Sequence, residues 1–276
     1  MYELRSIHSV IRKINNLFFY LTISSTFIGI NAIFLSLFSF LLYDISLNLN
    51  LILIAFLVTF SVYNINKLTD VKEDSINLPE RADFIGRNRR PITHATMACY
   101  LIALLLSFLQ NLFAIFIALF PLCCGVIYSI KILDFRLKDI TGVKNIIIAL
   151  SWAGTGAFLP LLVASKAFIV VLLIFYFFFV RIFIGSVTFD IRDIEGDRMS
   201  GVRTIPVVFG REKTKNLLLI LNSTLIPWLA ISYLSGFFHR YLFVLIFTIA
   251  HGYGYILHFC KEGLKIGKSL DLIVDG

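Results

Sequence analysis

The chain has 276 residues, 58% of them hydrophobic, 15% aromatic and only 15% charged, against roughly 25% charged residues in an ordinary soluble domain. With a mean hydropathy of +0.87 this composition excludes a soluble enzyme, and 16 Gly with 6 Pro excludes collagen-like and low-complexity chains. The formal charge of +8 does not call for a nucleic-acid partner, because in a membrane chain the placement of Lys and Arg says more than their sum. The four cysteines sit in apolar stretches without Cys-x-x-Cys spacing, so they read as small buried hydrophobes.

A spanning helix needs about 20 mainly apolar residues to cross a hydrocarbon core of about 30 Å. Residues 1–16 are polar, and the apolar run 17–43 is too long for the h-region of a cleaved leader, so it is expected to remain as the first span. Residues 45–66 make the second. The stretch 91–130 lacks Asp, Glu, Lys and Arg throughout; as one helix it would be about 60 Å long, so two crossings are expected, with Gln110 and Asn111 at the tip. Further spans follow at 145–165, 167–189, 216–238 and 241–260. The fold class is therefore all-α, a polytopic bundle of eight membrane-spanning helices in a single domain over residues 1–276. A ninth helix stays open, since the tail 261–276 carries an apolar stub, LDLIVDG, too short to cross. Of the 25 Lys and Arg, 22 fall on one side, with only Lys166 and Arg240 on the other and Arg181 inside the sixth span. The positive-inside rule then puts both termini and all long loops in the cytoplasm.

The second span runs into NKLTDVKED, where Asn66, Asp70 and Asp74 recur every four residues and drift only about 40° per step around a helix. The sixth runs into DIRDIEGDR, where Asp190, Asp193 and Asp197 are expected to share one face. Either motif alone is also what a solvated loop margin looks like. Two of them on the same membrane side, four spans apart and each followed by a basic stretch ending in proline, suggest a duplicated four-helix unit with halves near 1–138 and 139–276. Five carboxylates converging on one cavity repel one another, so something cationic is expected between them. Hard oxygen ligands select Mg²⁺, which uses one or two carboxylates together with substrate phosphates. That chemistry points to a diphosphate.

The motifs N-x-x-x-D-x-x-x-D and D-x-x-D-x-x-x-D, at the ends of the second and sixth spans of an all-helical membrane chain, resemble the UbiA family of intramembrane prenyltransferases. The resemblance covers nearly the whole chain. It implies transfer of an isoprenyl group from an isoprenyl diphosphate to a lipophilic acceptor, either an aromatic quinone-type precursor or a glycerol-phosphate ether-lipid precursor, with Mg²⁺ as cofactor. It implies Asp70, Asp74, Asp190, Asp193 and Asp197 as metal-binding and catalytic residues, with Asn66 beside the diphosphate. Many members have Asp directly after the Asn, where this chain has Lys67, and the family commonly has nine helices. The family often has a Tyr followed by a Lys after the fourth span, which implies Tyr128 and Lys131 as further diphosphate contacts.

Arg87, Arg89, Arg90, Arg192, Arg198 and Arg203 are additional candidate cations at the same membrane side. Arg181 lies nine residues before Asp190, about 180° away around the helix, so it is expected to face a neighbouring helix. His251, His258 and Asp44 are read as structural. Inward-facing rings among the 28 Phe would line an apolar chamber and stabilise an allylic cation. Two other classes share parts of the pattern: a secondary transporter, which usually keeps its acids near the bilayer midplane, and a metal-dependent terpene cyclase, which has no acceptor.

Overall fold

A backbone in hydrocarbon has no water to bond, so each N–H and C=O must be satisfied within its own segment, and the helix is the open-ended way to do this. The computed structural model describes residues 20–71, 75, 78–129, 140–264 and 269–275, without the side chains of 126–129 and 275, and every regular element among them is helical. In chain order these are α1 (Thr26–Leu42), α2 (Leu49–Thr69), α3 (Pro79–Arg87), α4 (Arg89–Gln110), α5 (Leu112–Ser129), α6 (Val143–Phe158), α7 (Phe168–Arg192), α8 (Ile194–Met199), α9 (Ile205–Ser223), α10 (Leu225–Leu234) and α11 (Leu242–Phe259). Six stretches are long and apolar enough to cross a membrane: Leu49–Thr69, Arg89–Gln110, Val143–Leu162, Phe168–Arg192, Ile205–Leu234 and His239–Phe259. Thr26–Leu42 and Leu112–Gly125 are apolar but shorter. The chain is an integral, multi-pass membrane protein: six of the apolar stretches read from the sequence overlap these long helices, and the other two overlap the shorter pair.

Helix ends fall where local chemistry stops the ladder. Asn111 is extended (φ −177°, ψ 170°) between α4 and α5, and its Oδ1 accepts from the Ala114 N–H at 2.9 Å, capping the returning helix at the expected tip. Before α1 the chain turns at Ser25, with φ 61°. Asn64 and Lys67 of α2 hold that turn: Ser25 Oγ donates to Asn64 Oδ1 at 3.0 Å, and the Lys67 ammonium donates to the Thr22 and Ile23 carbonyls at 2.7 and 2.9 Å. The expected single acidic stripe on the sixth span is corrected here. The helix stops at Asp193 (φ −94°, ψ 7°), and Asp197 belongs to the separate α8. The tail forms a π-helical turn at Asp271–Asp275. Arg192 Nη1 donates to Asp271 Oδ1 at 3.3 Å, which ties the turn to the end of α7, while Leu270 is fully buried.

Two apolar cores meet along α6. One takes Ala32 and Phe40 of α1, Leu51 to Val62 of α2, and Trp152. The other takes Ala153 and Ala157 with Ile174 to Ile191 of α7, Leu218, Trp228 and Ile256. Small residues let the helices approach: a Cβ on Gly156 would come within 2.8 Å of Leu35 and Phe178. Ser39 Oγ of α1 and Tyr43 Oη just after it donate to the Gly156 and Ala157 carbonyls. Such interhelical bonds average about 0.6 kcal/mol in membrane proteins, so they fix rotation more than they add stability. Large side chains such as Phe34, Leu101, Phe108 and Phe247 are exposed on the outer faces, where lipid covers them.

Candidate active site

The site follows from helical phase. On α2, Thr59, Val62, Tyr63, Asn66 and Lys67, with Asp70 just beyond its last turn, fall at steps of three, one, three, one and three, a single face. On α6, Lys144, Ile148, Ser151 and Thr155 do the same. The two faces oppose across a cavity of about 270 Å³, closed by Leu35 of α1, Pro121 and Gly125 of α5, Arg81 of α3, and Asp193, Asp197 and Val202. Charge is confined to one end. Asp70 follows the last turn of α2, Lys144 lies in the first turn of α6 and Asp193 caps α7, so all three mark the same end of the bundle. From Asp70 back to Thr59 is eleven residues, about 16 Å, and along that depth the walls become uncharged and mainly apolar, with Thr59, Ser151 and Thr155 as small polar groups among them.

Of the residues read from the sequence, Asn66, Asp70, Asp193 and Asp197 line this cavity. Asp190 does not. It is 1% exposed, its Oδ1 accepts from Lys144 Nζ at 2.8 Å, and its Oδ2 accepts from Asn145 Nδ2 at 2.7 Å. Asp193 is held by Arg192, whose Nε and Nη2 donate to it at 2.8 and 3.2 Å. Part of the positive charge expected between the acids is thus supplied by the chain itself, since Lys144 pairs with Asp190 and Arg192 with Asp193. Asp74 and Lys131 lie outside the described residues, as does the side chain of Tyr128. Arg87, Arg89, Arg90, Arg198 and Arg203 are exposed and do not line the cavity; Arg87 pairs with Asp83 at 3.0 Å on the surface. Sequence reasoning missed Arg81 and Lys144. The signal for Lys144 was its phase with Ser151 and Thr155, the small polar positions of an otherwise apolar helix.

A model of the UbiA prenyltransferase family matches residues 22–269. The chain belongs to that family. It is 30% identical over 191 residues to a digeranylgeranylglyceryl phosphate synthase of Sulfurisphaera tokodaii, a match covering 67% of this chain and 66% of that protein. A protein of the same name from Sulfolobus acidocaldarius is 28% identical over 223 residues, covering 79% and 78%. A UbiA homologue from Archaeoglobus fulgidus, in a structure bound to GPP and Mg²⁺, superposes with a TM-score of 0.72 over 92% of each chain. At 18% identity that likeness is one of fold.

In this UbiA-family chain the donor set suits a hard cation. Carboxylates of Asp70, Asp193 and Asp197 and the amide of Asn66 face one space. Among the described residues, no three His, Cys, Asp or Glu side chains gather closely enough to hold an ion by themselves. This is the arrangement Mg²⁺ favours when substrate phosphates complete its shell. Burial pushes the Asp197 carboxyl up to about 6; Lys144 opposes that shift, while Asp190 and Asp193 add to it. A divalent ion would reverse it. Deeper in the cavity the aromatic surface comes from Tyr63 and Trp152 and not from the Phe-rich helices. Trp152 Nε1 donates to Tyr63 Oη at 3.1 Å, and the rings meet edge to face with centroids 6.2 Å apart.

Arg181 turns away from the cavity, as its helical phase predicts. Its guanidinium is 5.4 Å from the Tyr255 ring centroid, and Nη1 reaches Asn222 Oδ1 at 3.5 Å. Gly252 makes the room for them, since a Cβ there would collide with both Asn222 and Arg181. His251 packs edge to face on Tyr255 at 5.3 Å, within the same cluster.

Proposed function

We propose that this UbiA-family protein transfers an isoprenyl group from an isoprenyl diphosphate to the hydroxyl of a glycerol-phosphate lipid, forming an ether and releasing diphosphate. One observation carries this reading: a single cavity joins a carboxylate-rich charged mouth to an apolar, aromatic-walled interior. The mouth suits a diphosphate and the interior suits its hydrocarbon tail. The glycerol-phosphate acceptor draws support from the names of the two relatives above, and the aromatic quinone-type precursor is the competing acceptor. Asp70, Asp74, Asp193 and Asp197 would hold Mg²⁺, with Asn66, Tyr128 and Lys131 at the diphosphate. The halves 1–138 and 139–276 each supply one acidic helix end, as a duplicated four-helix unit would. The distribution of Lys and Arg supports a cell membrane in which this mouth opens to the cytoplasm.

Bound Mg²⁺ supplies positive charge to the leaving diphosphate. The C1–O bond breaks with its electron pair going to the diphosphate oxygen. Tyr63 and Trp152 present their ring faces to the allylic cation that remains, and the apolar walls exclude water that would quench it. The acceptor hydroxyl oxygen then bonds to C1, and its proton leaves with the diphosphate.

The test uses purified full-length protein with geranylgeranyl diphosphate, Mg²⁺ and either geranylgeranylglyceryl phosphate or 4-hydroxybenzoate, with products identified by mass spectrometry. The expected product is the ether lipid, formed with Mg²⁺ and lost in EDTA. Transfer only to the aromatic acid would overturn the acceptor, and full turnover in chelator would overturn the metal role. Cyclised hydrocarbon without an acceptor would identify a cyclase. Cysteines introduced beside Asp74 and Asp197 should react from the cytoplasmic side of sealed vesicles, and reaction only from the other side would reverse the orientation.

A further inference from the structure

We propose that Lys144 is a diphosphate-binding residue of this site and that Asp190 is its positioning residue instead of a metal ligand. The assignment rests on the prenyltransferase reading above and refines it.

The geometry around Asp190 is closed. Its carboxylate, 1% exposed in the last turn of α7, takes one donor on each oxygen: the Lys144 ammonium at 2.8 Å and the Asn145 amide at 2.7 Å. Asn145 is also 1% exposed, and the same Nδ2 donates to Ser186 Oγ at 2.9 Å. That second bond uses the remaining amide hydrogen. The flipped amide would set a carbonyl oxygen against the carboxylate, so electrostatics fix its orientation. A metal ion at Asp190 would have to displace an ammonium and a buried amide from a carboxylate that does not line the cavity.

Lys144 sits on the other side of this arrangement. Its side chain is 33% exposed, and the residue lines the cavity that Asp70, Asp193 and Asp197 also line. A lysine at a membrane boundary ordinarily snorkels outward along its flexible stem. Here Asp190 anchors the ammonium, so the conformational freedom of that long side chain is lost on folding and not on substrate binding. An ammonium is a compact point charge suited to phosphate oxygens. It would offset negative charge on the diphosphate as the C1–O electron pair departs. Adjacent positions 144 and 145 thus have divided roles: Lys144 faces the cavity, and Asn145 faces inward to lock the carboxylate.

The test separates phosphate binding from metal binding without relying on turnover. Binding of inorganic pyrophosphate to the purified full-length protein is measured calorimetrically across a range of Mg²⁺ concentrations. This yields the limiting pyrophosphate affinity and the half-effective Mg²⁺ concentration independently. Lys144→Met and Asp190→Asn should each lower the limiting affinity about tenfold or more, the scale of a charge-assisted hydrogen bond, and leave the half-effective Mg²⁺ within about twofold. Asp197→Asn should instead raise the half-effective Mg²⁺ about tenfold. Lys144→Arg should recover most of the affinity. The double variant Lys144→Met/Asp190→Asn carries no unpaired charge, guards against misfolding of either single variant, and should be no weaker than Lys144→Met alone. If Asp190→Asn shifts the Mg²⁺ requirement as Asp197→Asn does, or if Lys144→Met leaves pyrophosphate affinity unchanged, the assignment is overturned. Failure of the unaltered protein to bind pyrophosphate with Mg²⁺ would overturn the prenyltransferase reading itself.

Discussion

Replacing Asp197 by Asn in the metal-free protein should raise its stability by an amount that depends on pH. The carboxyl is 8% exposed, and burial lifts it from the ordinary 3.8 to about 6. Above pH 6 the group is ionised in folded and unfolded chains alike, and the folded state bears the cost. A shift of about two units is worth roughly 3 kcal/mol. As pH falls from 6 towards 4 the folded chain takes up the proton first, so stability rises; below 4 both states are protonated and the penalty is gone. Asn is neutral throughout. The assay is thermal unfolding in detergent with EDTA, scanned from pH 4 to 8 for both proteins. The Asn variant should melt higher at pH 8, by on the order of 5–10 °C, and the gap should close towards pH 4. Mg²⁺ with pyrophosphate should reverse the order above pH 6, because ligands that bind only the folded state stabilise it by mass action. A difference that does not change with pH, or a less stable variant at pH 8 in chelator, would refute the reasoning.

Two further outcomes follow from the walls of the cavity and from the opposite face of α7. Thr155 is the lining residue furthest along α6 from the charged mouth, so Thr155→Trp should shorten the hydrocarbon tail that fits. Specificity constants for geranylgeranyl diphosphate should fall at least about tenfold while those for geranyl diphosphate stay within about threefold; equal losses would remove the depth assignment. Arg181→Met deletes the contacts to Asn222 and Tyr255 without touching the cavity. Turnover should stay within about threefold, a little over 0.6 kcal/mol, with a lowered unfolding midpoint, and loss of turnover in a folded variant would require the faces of α7 to be redrawn.

Much of this protein was legible in one dimension because the deciding physics is local. The apolar lengths of α2, α4, α6 and α7 follow from the thickness of the hydrocarbon core, and the return at Asn111 follows from a charge-free run too long for one crossing. The phase that groups Asn66 with Asp70, and turns Arg181 away from Asp190, follows from 3.6 residues per turn. The tertiary structure decided which helix faces meet, and that depends on how closely the backbones pack. Small residues such as Ala153, Gly156 and Ala157 seat α6 against α7 and set the rotation that brings Lys144 to Asp190. The same seating selects Tyr63 and Trp152 as the inner aromatic rings and leaves Phe108 and Phe247 to lipid. The helix stop at Asp193, and the return of Asp271 to Arg192, were equally invisible in the motif spacing. A periodic pattern fixes angles within one helix, and no pattern within one helix fixes its rotation about a neighbour, which is set by steric fit summed over the whole contact.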